Sequence, residues 1–216
     1  MTRTVRFPVS VALAGALALW GGGCSVVGEP PTPSGAELFQ LCSQCHGAQA
    51  YGNRAVNAPG IAGLPQWYIE GQLKKFKLGG RGTHFDDLTG MQMRPMAMSL
   101  HNDAEIATIA AYVASLPPHK PVAQISGGNP ERGRALYAPC VACHGLDGAG
   151  NEALKAPSLT HTDDWYQLSS LKKFKAGIRG TNALDQSGAL MRPMALTLAD
   201  DQAVLDAVAY IVTLQK

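Results

Sequence analysis

The feature that most limits how this chain can fold is an internal repeat. A motif of two cysteines and a histidine occurs twice, at Cys42, Cys45 and His46 and again at Cys140, Cys143 and His144. The offset of 98 positions between His46 and His144 also aligns other identical segments without a gap, namely residues 67–68 with 165–166, 73–77 with 171–175, 81–83 with 179–181 and 93–97 with 191–195. The chain is therefore a duplicated unit of about ninety residues.

The stretch between the copies is rich in proline and glycine, which helices do not cross. We expect a first domain over residues 35–118, a linker over 119–130 and a second domain over 131–216. Apolar residues recur at helical spacing, as in Ile106, Ile109 and Val113, and no segment alternates as a strand would. The sequence predicts an all-α fold of two tandem domains, each with about three main helices.

The N-terminal segment is typical of an export signal. Arg3 and Arg6 precede an apolar run over residues 7–20, three glycines and Cys24. We predict a lipoprotein-like signal peptide over residues 1–23, acylation of Cys24 and a flexible tether over 24–34. The run is shorter than the about 20 residues that cross a bilayer, so retention as a membrane anchor is the alternative.

The overall charge argues against nucleic acid as a partner. The chain has 18 basic and 16 acidic residues, and removal of the signal segment would take away Arg3 and Arg6 and leave the two numbers equal. Nucleic-acid binding needs a basic excess or stripe, which this composition does not supply.

The repeated motif is the attachment signature of c-type haem. Two thiols one helical turn apart reach both vinyl groups of the porphyrin, and the histidine that follows ligates the iron. Two haem c groups are predicted, held through Cys42, Cys45, Cys140 and Cys143, with His46 and His144 as iron ligands. A zinc site built from the four cysteines would leave both histidines unused, and two disulfides would be strained across a two-residue loop. The attachment uses four of the five cysteines and leaves Cys24 for the lipid.

The second axial ligand is expected to be methionine, whose soft sulfur stabilises ferrous iron. Of the seven methionines, only Met93 with Met191 and Met96 with Met194 recur in both halves. The histidines outside the motifs do not recur, and we expect hydrogen-bonding or surface roles for His84, His101, His119 and His161. Lys74, Lys75, Lys77 and their counterparts are expected on a solvated helix face, with docking of an acidic redox partner as the alternative.

Residues 35–216 resemble the dihaem cytochrome c4 proteins, which are tandem class I cytochromes that carry electrons to terminal oxidases. The resemblance rests on the haem motif, a helix end with Phe-Lys-x-Gly-x-Arg, the methionine segment and a last helix near Tyr-x-x-x-Leu, all present twice. It implies that the axial ligands are Met93 and Met191, seven residues before Leu100 and Leu198, with Met96 and Met194 held in reserve. It also implies that Pro59 and Pro157 lie near the contacts that orient the ligating histidines.

Two arginines are candidates for contacts to the haem propionates. Arg81 and Arg179 occupy the same place in each repeat, and a planar guanidinium matches a carboxylate in bidentate fashion. We therefore predict that these side chains bind propionates.

The predicted function is electron transfer without substrate chemistry, because iron held by histidine and methionine has no open position. The resemblance implies a periplasmic carrier, anchored to the membrane through Cys24, between a quinol-oxidising complex or another donor and a terminal oxidase or reductase. The alternative is a cytochrome subunit of a redox enzyme or oxidase complex, of the dihaem peroxidase or sulfur-compound dehydrogenase type. Equivalent methionine segments in both halves favour the carrier.

Overall fold

The computed structural model describes residues 1–2 and 32–215, so Cys24 and nearly all of the predicted signal segment lie outside the described residues. The helices are α1 (Gly35–His46), α2 (Gln66–Leu78), α3 (Leu88–Met98), α4 (Asp103–Ser115), α5 (Pro130–Leu136), α6 (Val141–His144), α7 (Asp164–Lys175), α8 (Gln186–Leu196) and α9 (Asp201–Leu214). Extended structure in the described ranges is limited to two isolated bridges. The all-α fold class is confirmed.

The first domain is built on a close crossing of α1 and α4. Ser34 and Glu37 form a capping box that starts α1. A Cβ atom at Gly35 would overlap Tyr112 of α4, so glycine allows the two helices to touch. Behind this crossing, Ile106, Ile109 and other apolar residues form one buried cluster that α2 also covers. The crossing fixes the end of α1, where the first haem motif lies.

The second domain repeats this crossing with α5 and α9. Gly133 stands 98 positions after Gly35, and a Cβ there would overlap the backbone of Asp206. Tyr137 and Tyr210 pack with ring centroids 5.4 Å apart, as Phe39 and Tyr112 do at 5.6 Å in the first domain, which fixes the start of the second haem motif.

The methionine segments form two helices, α3 and α8, that the sequence pattern did not predict. Each helix starts at an aspartate cap, with Asp87 accepting from Gly90 N–H and Asp185 from Gly188 N–H. Each also contains an internal proline, which normally breaks a helix, so the sequence pattern does not predict a helix here. Both helices continue through the proline, which removes one backbone hydrogen bond from each.

Reciprocal ion pairs join the two domains. Lys75 of α2 contacts Asp185 at 2.6 Å, and Lys173 of α7 contacts Asp87 at 2.6 Å. Both members of each pair recur at the offset of 98, so each domain offers the same lysine and the same aspartate to the other. The expectation of a solvated face is therefore wrong for Lys75 and Lys173, whose side chains are only 15% and 19% exposed.

No helix within residues 32–215 is both long and apolar enough to cross a bilayer.

Candidate haem sites

The attachment residues lie at the end of α1 in the first domain and at α6 in the second. Cys42 and Cys140 are partly buried, Cys45 and Cys143 are exposed, and none of these four forms a disulfide. Burial raises the pKa of Cys42 to about 11. No group of three or more His, Cys, Asp or Glu side chains in residues 32–215 is arranged to hold a metal ion, as a zinc site would require. The described cysteines are therefore available for thioether bonds.

The two ligating histidines are buried and held by the same contact in each domain. His46 Nδ1 lies 2.8 Å from the Pro59 carbonyl oxygen, and His144 Nδ1 lies 2.9 Å from that of Pro157. A carbonyl only accepts, so Nδ1 carries the proton and Nε2 keeps a free lone pair. Burial lowers the pKa of both imidazoles, and the hydrogen bond offsets this in part. Each ring is therefore held in one orientation with a free Nε2 lone pair, as ligation of iron requires.

A continuous cavity reaches from one histidine to the other. Its lining comes from both domains and includes the predicted site residues His46, His144, Cys42, Cys45, Cys140, Met93, Met96, Met191, Met194, Arg81 and Arg179. Apolar side chains such as Leu73, Phe76 and Phe174 cover most of the rest, which suits a porphyrin. The structure thus brings all but one of the predicted haem-contacting residues, the exposed Cys143, into the lining of one cavity.

Both methionines of each repeat reach this cavity. Met93 also packs against the buried apolar cluster of the first domain. Met194 is 36% exposed. A thioether that packs among buried groups has a defined position, whereas an exposed one lies at the edge of the site.

Arg81 and Arg179 lie in the cavity wall between the domains. Both are 8% exposed, and each guanidinium stacks on a phenylalanine, Arg81 on Phe76 at 4.2 Å and Arg179 on Phe174 at 4.4 Å. The Nε atom of each arginine is buried without a hydrogen-bond partner in residues 32–215. Buried donors of this kind call for an acceptor, and the residues present therefore fit a group that carries carboxylates, as haem does.

The electrostatics at this wall agree with that fit. Burial raises the pKa of Tyr166, but the charges of Arg81 and Arg179 and the hydrogen bond from Arg81 outweigh it and lower the pKa to about 7. The two guanidiniums thus create a positive region inside the protein, which favours an anionic group in the cavity.

Sequence reasoning missed the residues that hold the two sites together. Lys75 and Lys173 line the cavity and pair across the domains with Asp185 and Asp87. The signal was present, since all four residues recur at the offset of 98. Which lysine meets which aspartate depends on how the domains dock, and one repeat alone does not contain that information.

The comparisons with known proteins agree with this construction. The sequence matches the Cytochrome c family over residues 33–117 and 130–215. It is 30% identical over 208 residues to the thiosulfate dehydrogenase electron acceptor of Thiomonas intermedia (strain K12), covering 92% of this chain and 87% of that relative. It is 35% identical over 134 residues to the cbb3-type cytochrome c oxidase subunit CcoP of Rubrivivax gelatinosus, covering 58% and 38%.

A solved structure gives the same result at the level of the fold. The reduced recombinant cytochrome c4 from Pseudomonas stutzeri superposes with a TM-score of 0.64 at 25% identity, covering 82% of this chain and 95% of that chain. With two haem c attachment motifs and histidine and methionine ligation, the chain belongs to the cytochrome c family and is a dihaem, cytochrome c4-like electron carrier with two tandem cytochrome c domains.

Proposed function

We propose that the protein carries electrons in the periplasm, from a quinol-oxidising complex or another donor to a terminal oxidase or reductase. The observation that carries this proposal is the pairing, in each domain, of a buried neutral histidine with methionines at one cavity. A histidine and a methionine would fill the two positions of each iron that the porphyrin leaves open, so no position would remain for a substrate. Each haem, when bound, supplies a one-electron couple between ferric and ferrous iron.

The protein's own residues would bind, orient and shield these groups. The contacts of His46 with Pro59 and of His144 with Pro157 hold the imidazole rings in place. Met93 and Met191 are proposed as the axial sulfur ligands, with Met96 and Met194 packed at the haem edge. Thioether ligation favours the ferrous state and raises the reduction potential.

Substitution of the methionines tests this choice in each domain separately. Met93→Ala and Met191→Ala should each lower the potential of one haem and leave the other unchanged, because axial ligands set haem potentials over a range of about 0.8 V. Potentiometric titration with visible spectra measures both potentials. Met96→Ala and Met194→Ala are the matched controls and should change the potentials much less. The reverse ranking would exchange the ligand assignments.

Arg81 and Arg179 are proposed to bind the propionates through their unpartnered Nε atoms. Replacement of either by glutamine removes a buried positive charge, so the potential of the adjacent haem should fall. A potential that stays constant in both variants would contradict the contact.

The names of two relatives favour particular partners. One is called a thiosulfate dehydrogenase electron acceptor and another a cbb3-type oxidase subunit. We propose that a dehydrogenase of this kind reduces the protein and an oxidase of this kind reoxidises it. Reduction by purified thiosulfate dehydrogenase and oxygen consumption by membranes that contain a cbb3-type oxidase would test the two ends separately.

A cytochrome subunit of a redox enzyme or oxidase complex is the second candidate, and the same relatives favour it. An enzyme of the dihaem peroxidase or sulfur-compound dehydrogenase type needs one iron with an open or unusual position. The carrier predicts that both ferric haems are low-spin. A stable high-spin fraction in electron paramagnetic resonance of the untreated protein would favour the enzyme.

Membrane attachment is proposed to depend on acylation of Cys24, after removal of residues 1–23, with 24–34 as the tether. The two domains, over residues 35–118 and 131–216 with the linker over 119–130, would then face the periplasm. Cys24→Ser should move the protein from the membrane fraction to the soluble periplasmic fraction. Continued membrane association of this variant would favour the uncleaved anchor.

A further inference from the structure

Two neighbouring aspartates at the start of α7 are buried, although neither is among the predicted haem-contacting residues. Asp163 is 3% exposed and Asp164 is 1% exposed. The repeat places Pro65 and Gln66 at the corresponding positions of the first domain, so these carboxylates belong to the second domain alone. A buried carboxylate is costly unless hydrogen bonds compensate it, and its partners therefore show what it does.

The partners of Asp163 lie in the first domain and in the linker. Its Oδ2 accepts a hydrogen bond of 2.7 Å from the N–H of Gly60, and its Oδ1 lies 3.1 Å from Nε2 of His119. A Cβ atom at residue 60 would overlap the His119 ring, so glycine is what lets the linker histidine reach this place. The backbone N–H of His119 in turn donates to the carbonyl of Ala62 at 3.1 Å.

The peptide bond between Pro59 and Gly60 connects this carboxylate to a haem ligand. The carbonyl of that peptide accepts from His46 Nδ1 at 2.8 Å, while its N–H donates to Asp163 at 2.7 Å. Hydrogen bonds at the two ends of one amide polarise each other. The carboxylate therefore makes the Pro59 oxygen a stronger acceptor, which gives the His46 imidazole more negative character and makes it a better donor to iron.

The second domain has the hydrogen bond from histidine to the proline carbonyl but lacks a carboxylate at the N–H end of the same peptide. His144 donates to Pro157 at 2.9 Å, and the next residue is Ser158. Within residues 32–215, no carboxylate accepts from the Ser158 N–H, and the position that corresponds to Asp163 holds a proline without an acid. The two histidines therefore receive different support.

We propose that Asp163 of the second domain is a positioning residue for His46 of the first, and that it lowers the reduction potential of the first haem relative to the second. The effect passes through the Pro59–Gly60 peptide. The step concerned is uptake of one electron by ferric iron from a donor protein, with no bond broken. A more basic imidazole and a nearby negative charge both stabilise the ferric state.

The test is Asp163→Asn in the haem-loaded protein, because asparagine keeps an oxygen acceptor for the Gly60 N–H and removes the charge. The potential of the first haem should rise, with a threefold to tenfold shift in the ratio of ferrous to ferric iron at a fixed applied potential. The upper figure corresponds to about 59 mV for a one-electron couple. The second haem should keep its potential. Haem resonances in NMR spectra of partly reduced samples assign each potential to its domain.

Asp164→Asn is the matched control. Asp164 is equally buried and accepts from the backbone N–H groups of Gln124 and Ile125 at 2.7 and 2.9 Å, so it holds the linker without touching the Pro59–Gly60 peptide. This variant should leave both potentials in place. A shift of both haems in Asp163→Asn, or an equal shift in the control, would show that a loosened linker is the cause and would overturn the proposal.

A second measurement needs no variant. In the reduced wild-type protein, the Nδ1–H proton of His46 should resonate further downfield than that of His144, since its acceptor is stronger. Equal chemical shifts would overturn the proposal even if Asp163→Asn did not fold. The inference rests on electron carriage by two haems. If the protein did not carry electrons through two haems, the titration would show fewer than two one-electron steps. If only this inference were wrong, both steps would be present and Asp163→Asn would not shift the first potential selectively.

Discussion

The two domains carry the same ligands on differently built helices. In the first domain α1 runs unbroken through Cys42 and Cys45 to His46. In the second, Pro139 stands where the first has Leu41, and the segment divides into α5, a 3-10 turn at Ala138–Cys140 and α6. Both versions present a buried histidine to a proline carbonyl at nearly the same distance. A continuous helix is therefore not required to place the histidine against the proline carbonyl.

The reciprocal ion pairs show a second difference. Burial raises the pKa of Asp87, but the Lys173 ammonium outweighs it and holds the pKa below its usual range. In the other pair, burial lowers the pKa of Lys75, and Asp185 offsets this only in part. Asp185 also keeps one buried oxygen without a partner in residues 32–215. The pair of Lys173 and Asp87 is thus the better satisfied of the two.

The largest expected effect comes from breaking these pairs. Lys173→Met should lower the free energy of unfolding by about 3 kcal/mol, because it leaves the carboxylate of Asp87 buried and unpaired. Lys75→Met also leaves a buried carboxylate, Asp185, unpaired, but it should cost less because it removes an ammonium that burial already disfavours. Urea denaturation of the haem-loaded variants measures both.

Lys74→Met provides the control for these two variants. Lys74 pairs with Asp103 on the surface, where the side chains are 40% and 78% exposed, and such pairs contribute about 0 to 1 kcal/mol. Equal losses in Lys75→Met and Lys173→Met would remove the difference between the pairs. A loss of the same size in Lys74→Met would remove the distinction between the interface and the surface.

The helix crossings should respond next most strongly. Gly133→Ala places a methyl group against the backbone carbonyl of Asp206, which cannot move away easily, and overpacking of this kind costs about 1 to 3 kcal/mol. Gly35→Ala meets Cβ of Tyr112 and the backbone carbonyl of Thr108. The overlap there is smaller than at Gly133, so Gly35→Ala should cost less. Thermal unfolding of the two variants tests the order, and a larger loss in Gly35→Ala would contradict it.

The smallest effects are expected at the cations that each domain places over a tryptophan of the other. Arg54 lies 4.5 Å from the centre of the Trp165 ring, and Lys155 lies 5.4 Å from that of Trp67. Exposed contacts of this type contribute about 0.5 to 1 kcal/mol. Arg54→Ala should lower stability by the upper value and Lys155→Ala by the lower. Denaturation midpoints that do not differ between the two variants would show that distance and side-chain type have no effect here.

The sequence predicts most of what the two domains share and little of what distinguishes them. The repeat and its spacing indicate both attachment motifs, the methionine pairs, the arginines and the all-α fold. Pro95 and Pro193 concealed α3 and α8, because proline usually ends a helix and the aspartate caps that start these two are weak signals. Asp163 was missed because it has no counterpart in the other half. Comparison of the halves discards residues that occur once, and this carboxylate acts on a peptide 103 positions away.

The exchange of a lysine and an aspartate between the halves makes the interface self-complementary. Each domain carries both the donor and the acceptor on one face, as the subunits of a twofold-symmetric dimer do. A gene that encoded either half alone would therefore specify a surface able to recognise its own copy. Fusion of two such copies fixes their stoichiometry, and it frees positions such as residues 65 and 163 to diverge, which a homodimer could not allow.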